Sequence, residues 1–433
     1  MCKKCSFLVA FLLFFKFNYS QEHVLLDTIN NEVFKNEIEQ FYLVQSKKTE
    51  AIISQLENYK VKEEMKEIFA NKKANFLQDL KNRKYLYHKE ISPVIEKIFD
   101  DIKAKNPNEN FNEIKIILAL GEEINAYNYG EGIVAINLPL IINVNDELEL
   151  SFIICHEIAH QKLNHVFSSI QSQSQKGNSS EMIEKAKELK KVKYNRSGLA
   201  KNEVKNFVYG ARRFSREKEQ QADSLGFVYF RNTNPKFVLK SVEALANLKY
   251  VDKEKDSLTS KDYHEIFENS KVVFQEEWIE TEDFQDYYYQ TNTGIWNIDS
   301  LRTHPDIDLR VKYLKNTFKI DESQIYEFNK LNYISLKSKS KYDEIVMLFY
   351  LKEYGKSLYK TMILLKDDKE NPILKKMMYD NLFMISEYKS QYKLNQCLET
   401  ESPYNSKSYN AFLSFIRNLR KATLSQIISI YEY

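Results

Sequence analysis

The chain has 433 residues, with 63 basic and 61 acidic side chains and a formal net charge of +2. That length provides core for about two or three domains and excludes a small stapled scaffold. Only 9 Gly and 7 Pro among abundant Lys, Glu, Leu and Ile argue against a many-turned sandwich or a disordered chain, and the balanced charge gives no basic field, so no nucleic acid is expected as partner.

Lys3 and Lys4 precede the apolar run Phe7 to Phe15 and the polar stretch Asn18, Tyr19, Ser20. This is the pattern of a secretory signal cleaved near Ser20, with an uncleaved anchor as the alternative. Residues 1–20 are therefore read as a signal peptide, and the protein as exported, periplasmic or secreted. Cys2 and Cys5 leave with the signal, whereas Cys155 and Cys397 are expected to be free and buried. No later run of eighteen apolar residues occurs, so no transmembrane segment is expected after the signal.

Residues 21–85 form an N-terminal helical region, with Ile52, Leu56, Tyr59 and then Met65, Ile68, Phe69 as apolar stripes. From Phe111 the pattern changes to short β-rich runs through Ile114, Ile116, Leu118, then Ile124 to Tyr129 and Ile133 to Ile136, punctuated by Gly121, Gly130 and Gly132. Asn143, Asn145 and Asp146 supply cap-type side chains for a helix beginning near Leu148. Gln171 to Lys205 reads as an exposed insertion with a helical centre, followed by helices over about 206–230 and 237–248. Leu258 to Leu301 is acidic and aromatic, and helical periods return from Asp321 to Tyr433. The fold class is mainly α with a small β-sheet (α+β), divided into a domain at 86–320 and a C-terminal helical domain at 321–433 for which stacked, repeat-like helix pairs are one reading.

Ile154-Cys155-His156-Glu157-Ile158-Ala159-His160 contains H-E-x-x-H. On a helix, residues four apart lie one turn above each other, so His156 and His160 offer two imidazoles to one tetrahedral zinc. Glu157 is then placed to take a proton from a zinc-activated water as general base. Two histidines do not close a catalytic zinc site. The segment Ser215 to Asp223 supplies the third ligand, because Glu219 and Asp223 are again four apart: one faces the metal and the other the second nitrogen of a ligand histidine. Ala222 and Gly226 are small enough to let the two helices approach closely. His165 lies about 140° around the helix from His160 and is expected to form structural hydrogen bonds, and Cys155 to pack.

These elements resemble the zinc metallopeptidase family of the CAAX prenyl endopeptidases and HtpX-like proteases, of the gluzincin type. The family's H-E-x-x-H is followed five residues on by another histidine, here His165. Its third-ligand motif S-R-x-x-E-x-x-A-D-x-x-G is matched by Ser215, Arg216, Glu219, Ala222, Asp223 and Gly226. An Asn-Ala edge strand and Gly-containing turn look like Asn125, Ala126 and Gly130 to Ile136, and a T-H-P segment followed by Arg looks like Thr303, His304, Pro305 and Arg310. The resemblance spans about residues 86 to 318 and implies a zincin-like metallopeptidase fold for the 86–320 domain, and the missing membrane helices point to the family's exported soluble branch.

The resemblance implies one zinc per chain and an endopeptidase acting on protein or peptide substrates, with a role in envelope protein quality control. His304 becomes a donor to the substrate oxyanion, and Arg310 an orienter of its loop through a carboxylate, with plain surface placement as the alternative. An extended substrate adds as a strand along Asn125, Ala126 and Tyr127 and onward to Tyr129. The alternative function is a noncatalytic metallopeptidase-fold binding or assembly factor. Val272 to Leu301, with Trp278 and Trp296, is expected either to cover the active site or to form a solvated loop. The helices after Asp321 are expected to dock a protein partner or to cap the peptidase domain. Asn371 and Pro372 start a helix there whose Leu374, Met377, Met378, Leu382 and Ile385 share one face.

Overall fold

The computed structural model describes residue 26 and residues 31–191, 196–249, 257–267, 272–281, 307–322, 328–329 and 331–432. The signal segment and the Thr303, His304, Pro305 motif lie outside the described residues, as does Trp296.

A four-stranded sheet organises the first half of the chain. Its strands are β1 (Tyr85–Leu86), β2 (Lys115–Ala119), β3 (Ala126–Gly130) and β4 (Ile133–Asn137), in the order β1-β2-β4-β3. β2 and β4 run parallel, and the two outer pairs are antiparallel, so β3 is an edge strand beside the fully buried β4. The turn between β3 and β4 holds Gly130, Glu131 and Gly132 all at positive φ. A Cβ on Gly132 would lie 2.4 Å from the Glu113 carbonyl oxygen, so glycine is required there for space as well as conformation.

Strand alternation sends Ile117, Ala119, Ile133 and Ala135 to one face, where Ile38 and Tyr42 of α1 (Glu32–Ser54) and Phe76 and Leu80 of α2 (Tyr59–Lys81) cover them. Leu118, Val134 and Ile136 pack on the other face against α3 (Ile91–Lys105), the short α4 (Leu138–Asn143) and α5 (Glu147–Lys162). The N-terminal helices differ from the expected stripes. Ile52 and Tyr59 are exposed, while Ile53 is fully buried, because α1 ends at Ser54 and Asn58 restarts the chain by capping Lys60 and Val61. The helical phase is reset between the two, so a stripe cannot run through.

Asp146 caps α5 as its sequence position suggested, accepting from the Leu148 and Glu149 amides, and its other oxygen is 2.8 Å from Lys240 Nζ. Such a cap contributes about 0.5–2 kcal/mol. Helices α6 (His165–Gly177), α7 (Ser180–Lys191), α8 (Arg196–Thr233), α9 (Leu239–Asn247), α10 (Ser260–Phe267) and α11 (Ile307–Phe318) follow. Five more follow among the described residues: α12 (Leu331–Tyr350), α13 (Tyr354–Asp367), α14 (Pro372–Ser390), α15 (Lys407–Asn418) and α16 (Lys421–Ile430). The fold is thus mainly helical with one small sheet. Among the described residues no helix is long and apolar enough to cross a membrane, and Cys155 and Cys397 are free and buried.

Asn371 caps α14 through the Ile373 and Leu374 amides, with Pro372 in the first turn, and all five apolar residues of the expected face are buried. These helices build a second core around Leu358, Tyr359, Phe412 and Phe415. The described part of the acidic aromatic segment joins that core: Phe274 packs among Tyr263, Trp278 and Phe415, and the Trp278 carbonyl accepts from Asn418.

Helix α12 ties the second core to the first. Tyr333, Leu336, Met347 and Leu348 belong to the core beneath the sheet, Tyr333 Oη donates to the Ile141 carbonyl at 3.0 Å, and Lys337 Nζ to that of Val144 at 2.7 Å. His88 and Asp343 form a buried contact at 3.3 Å across the same junction. A chain ending at Asp321 is therefore expected to lose its cooperative thermal transition, since burying a Leu-sized side chain contributes about 1.5–3 kcal/mol and several are lost at once. A truncated chain that melts within a few degrees of the full-length protein would count against this packing role.

Candidate active site

The site forms where α5 crosses α8. Gly226 makes the crossing close: a Cβ there would lie 2.9 Å from His156 Cα and 3.0 Å from His156 N. These are backbone atoms, which cannot swing aside. Ala222, one turn earlier, is fully buried in the same contact. The result is that side chains from two helices point into one small volume.

His156 Nε2 and His160 Nε2 lie 3.0 Å apart. Glu219 spans them, with one oxygen 3.5 Å from His156 Nε2 and the other 3.3 Å from His160 Nε2. A tetrahedral zinc held at about 2.0–2.1 Å separates its donors by about 3.3 Å, so this donor set fits the ion in spacing and in chemistry. Among the described residues, these three form the group able to hold a metal.

Asp223 Oδ1 lies 3.0 Å from His156 Nδ1, on the side of the ring away from Glu219. Arg310, from α11, fixes that carboxylate in turn. Its Nε and one terminal nitrogen donate to the two Asp223 oxygens at 2.7 and 2.6 Å, and its other terminal nitrogen is 3.2 Å from Glu219. A tilted contact of Phe318 on Phe227, with centroids 4.3 Å apart, packs α11 against α8. Arg310 is buried, so of its two expected placements it takes the one that engages a carboxylate.

The local field favours positive charge at the centre. Three acidic side chains, Glu157, Glu219 and Asp223, gather around one guanidinium, an excess of acidic groups that suits a cation. Burial opposes a charge on His156, yet hydrogen bonds to Asp223 and Glu219, with their negative charges, outweigh it and lift the imidazole to about 10. Burial would likewise raise Glu219, but hydrogen bonds from His156 and His160 hold it well below the usual carboxylate range. Asp223 is lowered against its burial, chiefly by the charge of Arg310.

Glu157 is the next residue on α5, with one oxygen 4.0 Å from His156 Nε2. Its other oxygen accepts from the Asn128 backbone N–H at 2.7 Å, which links the H-E-x-x-H helix to β3. The Asn125 carbonyl accepts from Asn137 N at 3.0 Å. By antiparallel alternation, Asn125 and Tyr127 therefore turn their backbone groups towards β4, whereas Ala126 and Asn128 turn theirs to the open edge. Asn128 was not singled out in the sequence, and the period-two alternation of the strand was the signal that could have found it.

His165 is buried beside His160, with their Nδ1 atoms 2.9 Å apart, and its Nε2 faces Gln221 of α8 at 3.1 Å. The hydrogen-bonding role expected for it is therefore present, on His160 itself. The 140° offset does not apply, because α5 ends at Lys162. Gln221 gave no sequence signal beyond lying between Glu219 and Asp223.

Replacing Glu219 by Ala is expected to abolish stoichiometric zinc in the purified full-length protein, measured by elemental analysis; one zinc retained per chain would remove Glu219 from the ligand set. Gly226→Ala is expected to cost about 1–3 kcal/mol of stability by overpacking and to weaken zinc binding by spreading the two helices. Calorimetric melting with a chelator competition checks this, and wild-type values in both would refute the close-crossing argument.

The comparisons with known proteins agree with this site. No curated protein and no solved structure gave a match to the chain. A family model described as Peptidase family M48 matches residues 86–318, more than half of the chain and a span that holds β2 to β4, α5, Glu219, Asp223 and Arg310. The chain belongs to peptidase family M48, a family of zinc metalloproteases.

Proposed function

We propose that this chain is an exported zinc endopeptidase that hydrolyses peptide bonds in protein substrates, with Glu157 as general base. The observation that carries the reading is the convergence of His156, His160 and Glu219 beside Glu157 at the open edge of β3. His156, His160 and Glu219 would hold the ion, and Asp223 with Arg310 would orient His156. Zinc, when bound, polarises a scissile carbonyl and lowers the pKa of water towards ~7.

The chain's own residues supply the rest. An extended substrate pairs with β3 through the outward backbone groups of Ala126, which fixes the peptide by main-chain hydrogen bonds and leaves sequence preference loose. Glu157 takes the proton of the attacking water and returns it to the leaving nitrogen. Its hydrogen bond from Asn128 N–H aims the carboxylate along the strand that the substrate joins. His304 is proposed as the donor to the developing oxyanion. The apolar Phe7 to Phe15 run behind Lys3 and Lys4 supports export, and envelope protein quality control is the setting proposed for the activity.

Glu157→Gln tests the reading. It removes the base and leaves the ligands, so the variant is expected to keep one zinc and to lose cleavage of an unfolded protein substrate by about 10²–10⁴-fold, the usual contribution of a positioned general base. Unchanged turnover would reject Glu157 as the base and would favour a binding factor that keeps the fold.

A further inference from the structure

After α5 ends at Lys162, Asn164 adopts a left-handed conformation with φ +53° and turns the chain into α6. That corner brings His165 back onto the side of His160 that faces away from Glu219, where the two Nδ1 atoms meet at 2.9 Å. The corner is pinned from α8. Lys218 Nζ donates to the His165 carbonyl at 2.6 Å and to the hydroxyls of Ser168 and Ser169 at 2.6 and 2.7 Å. Three residues further along α8, Gln221 Oε1 lies 3.1 Å from His165 Nε2.

Two imidazole nitrogens 2.9 Å apart share one proton, so the contact has a direction. A carbonyl oxygen only accepts; Gln221 Oε1 therefore calls for a proton on His165 Nε2. A neutral His165 then has a bare Nδ1, and the shared proton sits on His160 Nδ1. His160 Nε2 is left with its lone pair, on the side where Glu219 and His156 converge. Turning the Gln221 amide round reverses every bond and places the proton on His160 Nε2, where it would block a metal.

We propose that His165 and Gln221 are positioning residues that hold His160 in the Nδ1–H tautomer, a hydrogen-bonded chain from α8 that readies His160 Nε2 as a metal ligand. This assignment rests on the zinc reading given above. It makes the two ligand histidines differ in their support: His156 Nδ1 faces an anionic carboxylate, whereas His160 Nδ1 faces a neutral ring whose acceptor state is set by an amide.

The test uses the full-length protein. Gln221 is exposed, so substitutions there spare the core. Gln221→Glu keeps an acceptor oxygen and has no amide to turn round; Gln221→Met has a similar length and no oxygen. Zinc affinity is read by competition with a chromophoric chelator. Gln221→Met is expected to bind about 10–100-fold more weakly, as for other partners of a ligand histidine, and Gln221→Glu to stay within about threefold of wild type. The metal-free melting temperature should match wild type in both. Histidine nitrogen NMR of the zinc-loaded wild type should show His165 protonated at Nε2 and bare at Nδ1. Wild-type zinc affinity in Gln221→Met, or a proton on His165 Nδ1, overturns the assignment alone. A wild-type chain that takes up no zinc overturns the peptidase reading and this assignment with it.

Discussion

The close crossing of α5 and α8 is the constraint on which the rest of the structure depends. Neither helix carries a complete site: α5 offers two imidazoles and a carboxylate, and α8 offers Glu219 and Asp223. They meet because Gly226 lets the His156 backbone come within contact distance, and Ala222, one turn earlier, is fully buried with only a methyl group as its side chain. Protein interiors are packed tightly enough that such a contact acts as a hard stop. The elements around it act to keep the crossing fixed: Asp146 starts α5 in register, Lys218 fastens α8 to α6, and Arg310 fastens it to α11.

Much of this centre was legible because helical spacing is a rigid rule. His156 and His160, and Glu219 and Asp223, each sit four apart, and the expected face was the observed one. The strands, the Asp146 cap and the Asn371 cap were legible for the same reason: local chemistry fixes local geometry. What was not legible depends on chain direction after a break. Asn164 in a left-handed conformation carries His165 to a place that no helical wheel gives, and the restart at Asn58 hides Ile52 and Tyr59 from the core. Long-range partners were the other blind spot. Nothing in the string around Phe274 and Trp278 says that they pack with Phe415 and Asn418, and Asn128 gains its meaning only when β3 is laid beside Glu157.

The edge strand and Glu157 are thus coupled through one backbone amide. An N–H on an open sheet edge is costly to leave without a partner when it is half-buried, and Glu157 meets that need at 2.7 Å. The same hydrogen bond limits the directions in which the carboxylate can point. Precision at this position comes from secondary structure on both sides, a helix for the side chain and a strand for its partner, which is the more rigid way to build a site.

The long reach of α12 has a bearing on when the protein becomes whole. The Tyr333 bond to the Ile141 carbonyl spans 192 residues, and the neighbouring Lys337 bond to Val144 spans 193. Contacts of such separation form late, because the intervening chain must be ordered or closed before they repay the entropy. During synthesis the histidine pair emerges long before the helix that seals the core beneath it. A nascent chain consequently carries the H-E-x-x-H motif on an unfinished scaffold, and the wait for α12 separates the making of α5 from the completion of the core that supports it.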